Sequence, residues 1–184
     1  MIFQVLLAVI LGKHKKYHVG KALTRVSFYP FYLVEIIYIA MQICVFFKNY
    51  DCIRYAPVLK SAILYTLLIP IFVYKLYIPA LAGSGLIVVG TVLNKIVISA
   101  NGGKMPVYPT LSKLTGYFSE EMLKNSPIHT LGGSATRFKI LSDYIDIGYS
   151  VLSIGDLLIH FFAFIVFYYT MKSIARSHYG GILN

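Results

Sequence analysis

The 184-residue chain contains no tryptophan, two cysteines and only seven acidic residues. Cys44 and Cys52 have neither a C-x-x-C spacing nor a Cys/His pattern, so the sequence predicts no metal site. Against the acidic residues stand 17 lysines and arginines, which leave a net charge of +10. In a soluble protein that charge would suggest nucleic acid, but here the cations flank apolar runs, as in membrane proteins. We therefore expect no nucleic-acid partner and no cofactor.

The chain is instead rich in apolar residues: 58% are hydrophobic and only 13% are charged. This composition is too apolar for a soluble domain and is typical of membrane proteins. Apolar runs predict five membrane segments, at residues 1–15, 26–47, 57–75, 80–100 and 149–171. The first is shorter than the about 20 residues that a spanning helix needs, so its lysines snorkel or it lies partly in the interface. We predict an all-α fold, a single helical membrane bundle over residues 1–184.

The distribution of cations predicts the orientation of the chain. The connection after the first segment and the carboxyl-terminal tail hold cations and no acidic residue: Lys13, Lys15, Lys16, Lys21, Arg25, Lys172 and Arg176. The connection at 101–148 is nearly neutral, with five cations against four anions. Because positive connections stay in the cytoplasm, we expect the amino terminus outside and the carboxyl terminus inside.

The connection at 101–148 is 48 residues long. A loop of that length is usually either functional or disordered. The stretches TLSKLTGYF and TRFKILSDYIDIGY carry regularly spaced apolar and aromatic residues, which argue against disorder. We predict that this connection forms a structured extracytoplasmic cap with one or two short helices.

Within the membrane segments, Pro70 is expected to kink the third one, because proline interrupts helical hydrogen bonding.

Ionisable side chains within membrane segments are costly, so each is a candidate functional residue. The sequence holds six of them: Glu35, Lys60, Lys75, Lys95, Asp156 and His160. Lys60 and Lys75 lie near segment ends, where they can snorkel. Asp156 and Lys95 fall about 8 to 10 Å below the outer ends of their segments and are expected to pair. Glu35 and His160 fall near the midplane, at about 14 to 16 Å, and form a second candidate pair.

Helical spacing groups the polar residues of the last two segments. On the fifth segment one face carries Tyr149, Ser153, Asp156 and His160, and on the fourth a face carries Thr91, Asn94 and Lys95. A polar face inside a membrane must lie against protein or water. The structural alternative is that Asp156 and Lys95 form an ion pair that only fixes helix register.

Three stretches of the second half of the chain carry a resemblance: NKIVISANGGKMPV at 94–107, HTLGGSATRFKILSD at 129–143 and VLSIGDLLIH at 151–160. They resemble an uncharacterised family of bacterial polytopic membrane proteins with N-G-G-[KR]-M-P and S-I-G-D motifs. The resemblance brings no activity, but it implies the bacterial cytoplasmic membrane. It also implies positions that belong together: Asn94, Asn101, Gly102, Gly103, Met105, Pro106, His129, Thr136, Asp143, Ser153, Gly155 and Asp156.

The first of these motifs has a physical interpretation as a helix end. Gly102 and Gly103 can adopt left-handed conformations that end the fourth helix, and Pro106 cannot continue it. Asn101 is expected to cap exposed carbonyl groups or to reach a ligand. Lys104, beside a helix carboxyl end, complements the helix dipole.

A weaker, partial likeness concerns lipoprotein signal peptidase, an intramembrane aspartyl enzyme. SIGDLLIHFFAFIVFYY is similar to the stretch that carries that enzyme's second catalytic aspartate, with Asp156 in its place. Asp143 or Asp146 could supply the partner, and two carboxylates that share a proton would activate water. The chain departs from that pattern, because no arginine follows Asp143 and no Gly-Asn pair precedes it.

We predict an outward-facing polar pocket, roofed by residues 101–148, that binds a small molecule, an ion or a lipid head group. The expected ligand-binding residues are Asn94, Lys95, Asn101, His129, Asp143, Ser153 and Asp156. Glu35 and His160 could relay protons with Asp156, although the chain is short for a transporter and has no inverted repeat. The sequence has no P-loop, G-x-S-x-G or H-E-x-x-H motif, so we expect binding more than catalysis.

Two alternative functions stay open. One is an intramembrane aspartyl hydrolase with Asp143 and Asp156 as catalytic residues. The other is an accessory or assembly subunit, in which a partner covers the small-residue face around Ala80, Gly83 and Gly90. The expected partners are membrane lipids, a small molecule or ion, and either a second copy of the chain or a partner membrane subunit.

Overall fold

The computed structural model describes residues 1–124, 126 and 128–180. In these residues the α-helices are α1 (Ile2–His14), α2 (Val19–Leu23), α3 (Tyr29–Phe46), α4 (Ala56–Thr66), α5 (Leu68–Val73), α6 (Tyr77–Ala100), α7 (Leu111–Leu114), α8 (Glu120–Lys124) and α9 (Ile154–Gly180). Short 3-10 helices lie at Val26–Phe28, Tyr50–Tyr55 and Lys139–Leu141. The predicted all-α fold class is confirmed.

Four helical stretches of the described chain are long and apolar enough to cross a membrane: Val26–Phe46, Tyr50–Val73, Tyr77–Ala100 and Ile154–Ser177. They correspond to the second to fifth predicted segments, and the chain is a membrane protein. The first predicted segment forms α1, a shorter apolar helix of 13 residues. At about 20 Å it is shorter than the hydrocarbon core of a bilayer is thick.

The second of these stretches is interrupted at Leu67, where α4 ends and α5 begins. Pro70 has no N–H, so it cannot donate the helical hydrogen bond to the carbonyl of Thr66 four residues earlier. The hydroxyl of Thr66 donates a hydrogen bond to the carbonyl of Ile63 at 2.7 Å. The kink predicted from Pro70 is therefore present as a helix break three residues before the proline.

The chain divides into two compact units. Unit 1 consists of residues 1–39, 55–85 and the chain from 160 on, and unit 2 consists of residues 40–54 and 86–159. Three buried aromatic rings, those of Phe28, Phe31 and Phe167, pack together in the core of unit 1. Phe28 stacks on Phe167 with ring centroids 4.2 Å apart, and Phe31 meets Phe167 edge-on at 5.1 Å. Aromatic pairs in such arrangements stabilise a core beyond the effect of burying their apolar surface.

The connection of residues 101–148, the cap loop, belongs to unit 2. It contains the short helices α7 and α8, as predicted, and also strands that were not predicted. Strand β1 (Met105–Val107) pairs in parallel with β2 (His129–Leu131), and β3 (Ile145–Asp146) pairs antiparallel with β4 (Val151–Leu152) just beyond the cap loop. Val107 also bridges Asp143, so β1 has a second neighbour.

The last helix begins later than predicted. The sequence predicts a segment at 149–171, whereas α9 runs over Ile154–Gly180. Gly148 turns the chain with φ +87°, and Val151–Leu152 then pair as β4 instead of entering the helix. Val151 and Leu152 therefore form a short strand, because their backbone groups pair with β3 before the helix starts.

Candidate functional site

A reciprocal pair of hydrogen bonds between Ser153 and Asp156 closes the first turn of α9. The N–H of Asp156 donates to Ser153 Oγ at 2.9 Å, and the N–H of Ser153 donates to Asp156 Oδ2 at 3.3 Å. This arrangement is a capping box, which satisfies two N–H groups at a helix start. A carboxylate there also complements the positive end of the helix dipole. The S-I-G-D motif therefore defines a helix start.

This position corrects two predictions for Asp156. The residue lies in the first turn of α9 instead of about 10 Å inside a span, and Tyr149 and Ser153 precede the helix. The four-residue polar stripe predicted for the fifth segment is therefore wrong. In addition, no ion pair joins Asp156 to Lys95 in the described part of the chain, where the side chain of Lys95 is exposed.

Asn94 of α6 forms hydrogen bonds with both residues of the capping box, Ser153 and Asp156. Its Nδ2 donates to Asp156 Oδ1 at 3.0 Å, and its Oδ1 accepts a hydrogen bond from Ser153 Oγ at 2.8 Å. One amide thus bonds both members of the capping box and ties α6 to the start of α9. The side chain of Ser153 is fully buried, so losing its partner would be costly. The three residues predicted to bind a ligand together are here partners of one another.

Glycines allow the two helices to approach this closely. A Cβ atom at Gly155 would clash with Asn94 Oδ1 and would lie 2.5 Å from the carbonyl oxygen of Gly90. A Cβ atom at Gly90 would clash in turn with the carbonyl oxygen of Gly155, and one at Gly83 would lie 2.7 Å from the ring of Phe162. At Gly83 and Gly90, the small-residue face that was expected to receive a partner is therefore covered by α9.

Asn101 ends α6 and fastens the cap loop to it. Its Nδ2 donates to the carbonyls of Val97 at 2.8 Å and Arg137 at 3.0 Å, and its Oδ1 accepts the Arg137 N–H at 2.9 Å. Gly102 and Gly103 have φ angles of +67° and +82°, as the helix-end interpretation predicted. Of the two predicted roles of Asn101, capping and ligand contact, the structure shows capping.

His129 and Asp143 belong to the two neighbours of β1. His129 Nε2 lies 3.7 Å from Asp143 Oδ2, and His129 Nδ1 is hydrogen-bonded to Ser126 Oγ at 2.9 Å. The pair becomes an ion pair when the imidazole is protonated. The side chain of Asp143 is 7% exposed and that of His129 is 35% exposed, so the imidazole is the member that water reaches. His129 and Asp143 were each predicted as ligand-binding residues, whereas Ser126 was not predicted, because nothing in its local pattern marks it.

Asp146 organises the other side of the cap loop. Its Oδ2 accepts hydrogen bonds from the N–H groups of Thr110 at 2.6 Å and Ser112 at 2.9 Å, and from Ser112 Oγ at 2.7 Å. Its Oδ1 accepts the Gly148 N–H at 2.9 Å. Burial raises the pKa of the Asp146 carboxyl, but these hydrogen bonds outweigh burial and hold the pKa below its usual value. The Asp-x-Gly turn signal at 146–148 could have revealed this role.

A shallow cavity of about 520 Å³, widely open to the outside of the protein, lies beside the carboxyl-terminal half of α6. Six residues line it: Val92, Lys95, Ile96, Ser99, Ala100 and Phe138. Lys95 is the one cation among these six. Successive residues of a helix are about 100° apart, so Asn94 meets α9 while Lys95 faces the cavity. Of the seven predicted ligand-binding residues, Lys95 alone belongs to this lining.

Glu35 and His160 both belong to unit 1. The side chain of Glu35 is 8% exposed, and its Oε2 accepts no hydrogen bond from the residues that the structure describes. The pairing of Glu35 with His160 stays a prediction. Because α9 starts at Ile154, His160 lies about 9 Å along that helix. A proton relay through these residues stays a prediction.

A known protein family also matches this chain. The model of a family of unknown function, DUF5317, matches residues 24–168. The chain belongs to that family. The match includes α3 to α6, the cap loop and the first part of α9, and so every predicted site residue. No curated protein and no solved structure matches the chain. Membership of a family of unknown function is thereby confirmed, whereas the likeness to signal peptidase stays a prediction.

Proposed function

We propose that this is a multi-pass protein of the bacterial cytoplasmic membrane that binds an anionic amphiphile, such as an anionic phospholipid, in the cavity beside α6. In this proposal the amino terminus and the cap loop lie outside and the carboxyl terminus lies inside. The predicted small molecule, ion or lipid head group is narrowed to a ligand with a negative head and an apolar body.

The composition of the cavity wall carries the proposal. The wall is apolar except for the Lys95 ammonium group and the Ser99 hydroxyl. Its volume of about 520 Å³ lies within the range of small-molecule sites. Lys95 lies five residues, or about 8 Å, before the carboxyl end of α6, where a cation is stabilised by snorkelling or by an anionic partner. A phosphate group would suit the cationic part of the wall at Lys95, and an acyl chain would suit the apolar part at Val92 and Ile96.

The hydrogen bonds of Asn94 and Asn101 support the proposal that the cavity beside α6 is the ligand site. Asn94 holds α6 against the start of α9, and Asn101 holds Arg137 at the end of α6. The next residue, Phe138, is the cap-loop member of the cavity wall. The side-chain amides of Asn94 and Asn101 already form hydrogen bonds within the protein. We therefore assign them a role in shaping the site and give the ligand contact to Lys95.

The alternative functions are less well supported by these contacts. An aspartyl hydrolase needs two carboxylates that share a proton. Here Asp143 lies against His129, while Asp156 accepts hydrogen bonds from Asn94 and Ser153. An accessory subunit was expected to offer its small-residue face to a partner, and α9 contacts that face instead.

The test compares lipid binding by the wild type, Lys95→Gln and Lys104→Gln in native mass spectrometry. Each protein is titrated in the same detergent with phosphatidylglycerol and with phosphatidylcholine of equal chain length. Lys104 is the matched control because it is exposed, carries the same charge near the same end of α6 and does not line the cavity. Because charge-assisted hydrogen bonds contribute about 1.5–3 kcal/mol, we expect Lys95→Gln to lose about tenfold or more in phosphatidylglycerol affinity.

Lys104→Gln should keep that affinity, and neither variant should change the binding of phosphatidylcholine. Equal losses in both lysine variants would mean that net charge, not the cavity, attracts the lipid. Unchanged binding by Lys95→Gln would also overturn the proposal.

A further inference from the structure

We infer that residues 137–140 form a membrane-embedded wedge, which inserts Phe138 and Ile140 into the leaflet at the carboxyl end of α6. Arg137 and Lys139 would then lie among the phosphates of that leaflet. The wedge is a second lipid contact that shares Phe138 with the wall of the Lys95 cavity, and it explains why the cap loop exposes large apolar side chains.

The alternation of residue types in the wedge is the first observation. Two cations, Arg137 and Lys139, alternate with two apolar residues, Phe138 and Ile140. Phe138 is 54% exposed and Ile140 is 75% exposed. Apolar side chains presented between cations match the boundary between head groups and acyl chains, as in interfacial membrane segments.

The level of the wedge along α6 is the second observation. The side chain of Asn101 forms hydrogen bonds with both the N–H and the carbonyl of Arg137. The next residue, Phe138, lines the cavity together with Ser99 and Ala100. These contacts hold the wedge beside the last turn of α6. At 24 residues α6 is about 36 Å long, so its last turn lies where the hydrocarbon core meets the head groups.

The backbone of Phe138 is the third observation. It has φ +54° and ψ +45°, a left-handed conformation that a bulky residue rarely adopts. The Phe138 carbonyl is held by the N–H of Leu141 at 2.9 Å and the hydroxyl of Ser142 at 3.3 Å. Strain of this kind persists where the surrounding structure imposes it, and it concentrates at functional segments.

The cation at 139 is positioned as well. Lys139 Nζ lies 4.9 Å from the centre of the Tyr108 ring, a cation–π contact that holds the ammonium group beside that ring. An anionic lipid surface is the occupant that fits, because the wedge is cationic and continues the exposed apolar surface of α6. That surface includes Val88, Val89, Val92 and Ile96.

The absence of tryptophan makes a direct test available. A tryptophan introduced by Ile140→Trp is the single such residue, so its fluorescence reports one position. The variant is reconstituted into phosphatidylglycerol-containing vesicles with or without lipids brominated on the acyl chain. We expect blue-shifted emission that brominated lipid quenches and aqueous iodide does not. Glu121→Trp, at an exposed acidic position of α8, is the control and should show the opposite pattern.

Phe138→Trp provides a second probe that keeps an aromatic side chain in the wedge. Emission from both wedge probes that is red-shifted and quenched by iodide would overturn the inference. Blue emission that neither quencher affects would also overturn it, because the wedge would then be buried in protein. Failure of the Lys95 proposal leaves these signals unchanged, since Lys95→Gln combined with Ile140→Trp should still be quenched by brominated lipid.

Discussion

Asn94 Nδ2 lies 3.0 Å from Asp156 Oδ1, so an amide in the carboxyl-terminal half of α6 donates a hydrogen bond to the carboxylate in the first turn of α9. The same amide accepts a hydrogen bond from the hydroxyl of Ser153, the other member of the capping box. The start of α9 thus depends on a residue that is distant in sequence. Changes at Asn94 should therefore act on helix packing and on the helix start together.

Replacing Asn94 with alanine removes both hydrogen bonds and leaves the buried Ser153 hydroxyl without its acceptor. We expect Asn94→Ala to lower the free energy of unfolding by about 1–3 kcal/mol. Asp156→Asn keeps one carbonyl oxygen as an acceptor and should cost less, about 1 kcal/mol. Thermal unfolding in detergent measures both variants. A melting temperature of Asn94→Ala equal to that of the wild type would contradict this account.

Adding a methyl group where α6 meets α9 should force the helices apart. Gly90→Ala and Gly155→Ala each place a Cβ against a backbone oxygen, which cannot move as a flexible side chain can. Overpacking of this kind costs about 1–3 kcal/mol. Gly85→Ala is the matched control on α6, because a Cβ there meets nothing within 4 Å. We expect Gly85→Ala to melt at or above the wild-type temperature, and a similar drop in all three variants would refute the close approach.

The Asp146 carboxylate should make the stability of the cap loop depend on pH. Its pKa in the folded protein is lowered from an unfolded value of about 3.9. Its stabilising contribution is therefore fully present above about pH 4 and is lost as pH falls through the folded pKa. We expect the melting temperature of Asp146→Asn to lie below the wild type at pH 6 and to approach it as pH falls below 4. A difference that stays constant over this range would be the contrary result.

Asn101 should control the local stability of the wedge at residues 137–140. Asn101→Ala removes three hydrogen bonds, two of them to the backbone of Arg137. We expect amide hydrogen exchange in peptides covering residues 133–141 to speed up by about tenfold, because each net hydrogen bond contributes about 1 kcal/mol. Lys104→Gln, three residues away, serves as the control. Unchanged exchange in Asn101→Ala would show that other contacts hold the wedge.

Local patterns were sufficient for the membrane segments and for several helix ends. The apolar runs at 26–47 and 80–100 correspond to Val26–Phe46 and Tyr77–Ala100, because hydropathy and length depend on residues that are neighbours in the chain. The left-handed glycines after α6 were predictable for the same reason. The start of α9 was also readable, since Ser153 and Asp156 have the spacing of a capping box, but the apolar run before it was extended into the helix.

The sequence by itself therefore determined the class of protein, the approximate spans and the cations that flank them. Only the tertiary structure decided which polar groups meet. Asn94 and Lys95 are adjacent, yet the rotation of one residue along α6 sends the first to α9 and the second to the cavity. The parallel pairing of Met105–Val107 with His129–Leu131 likewise joins distant stretches. Such contacts depend on how the helices turn about their axes and where the cap loop folds back, and neither leaves a local pattern in the chain.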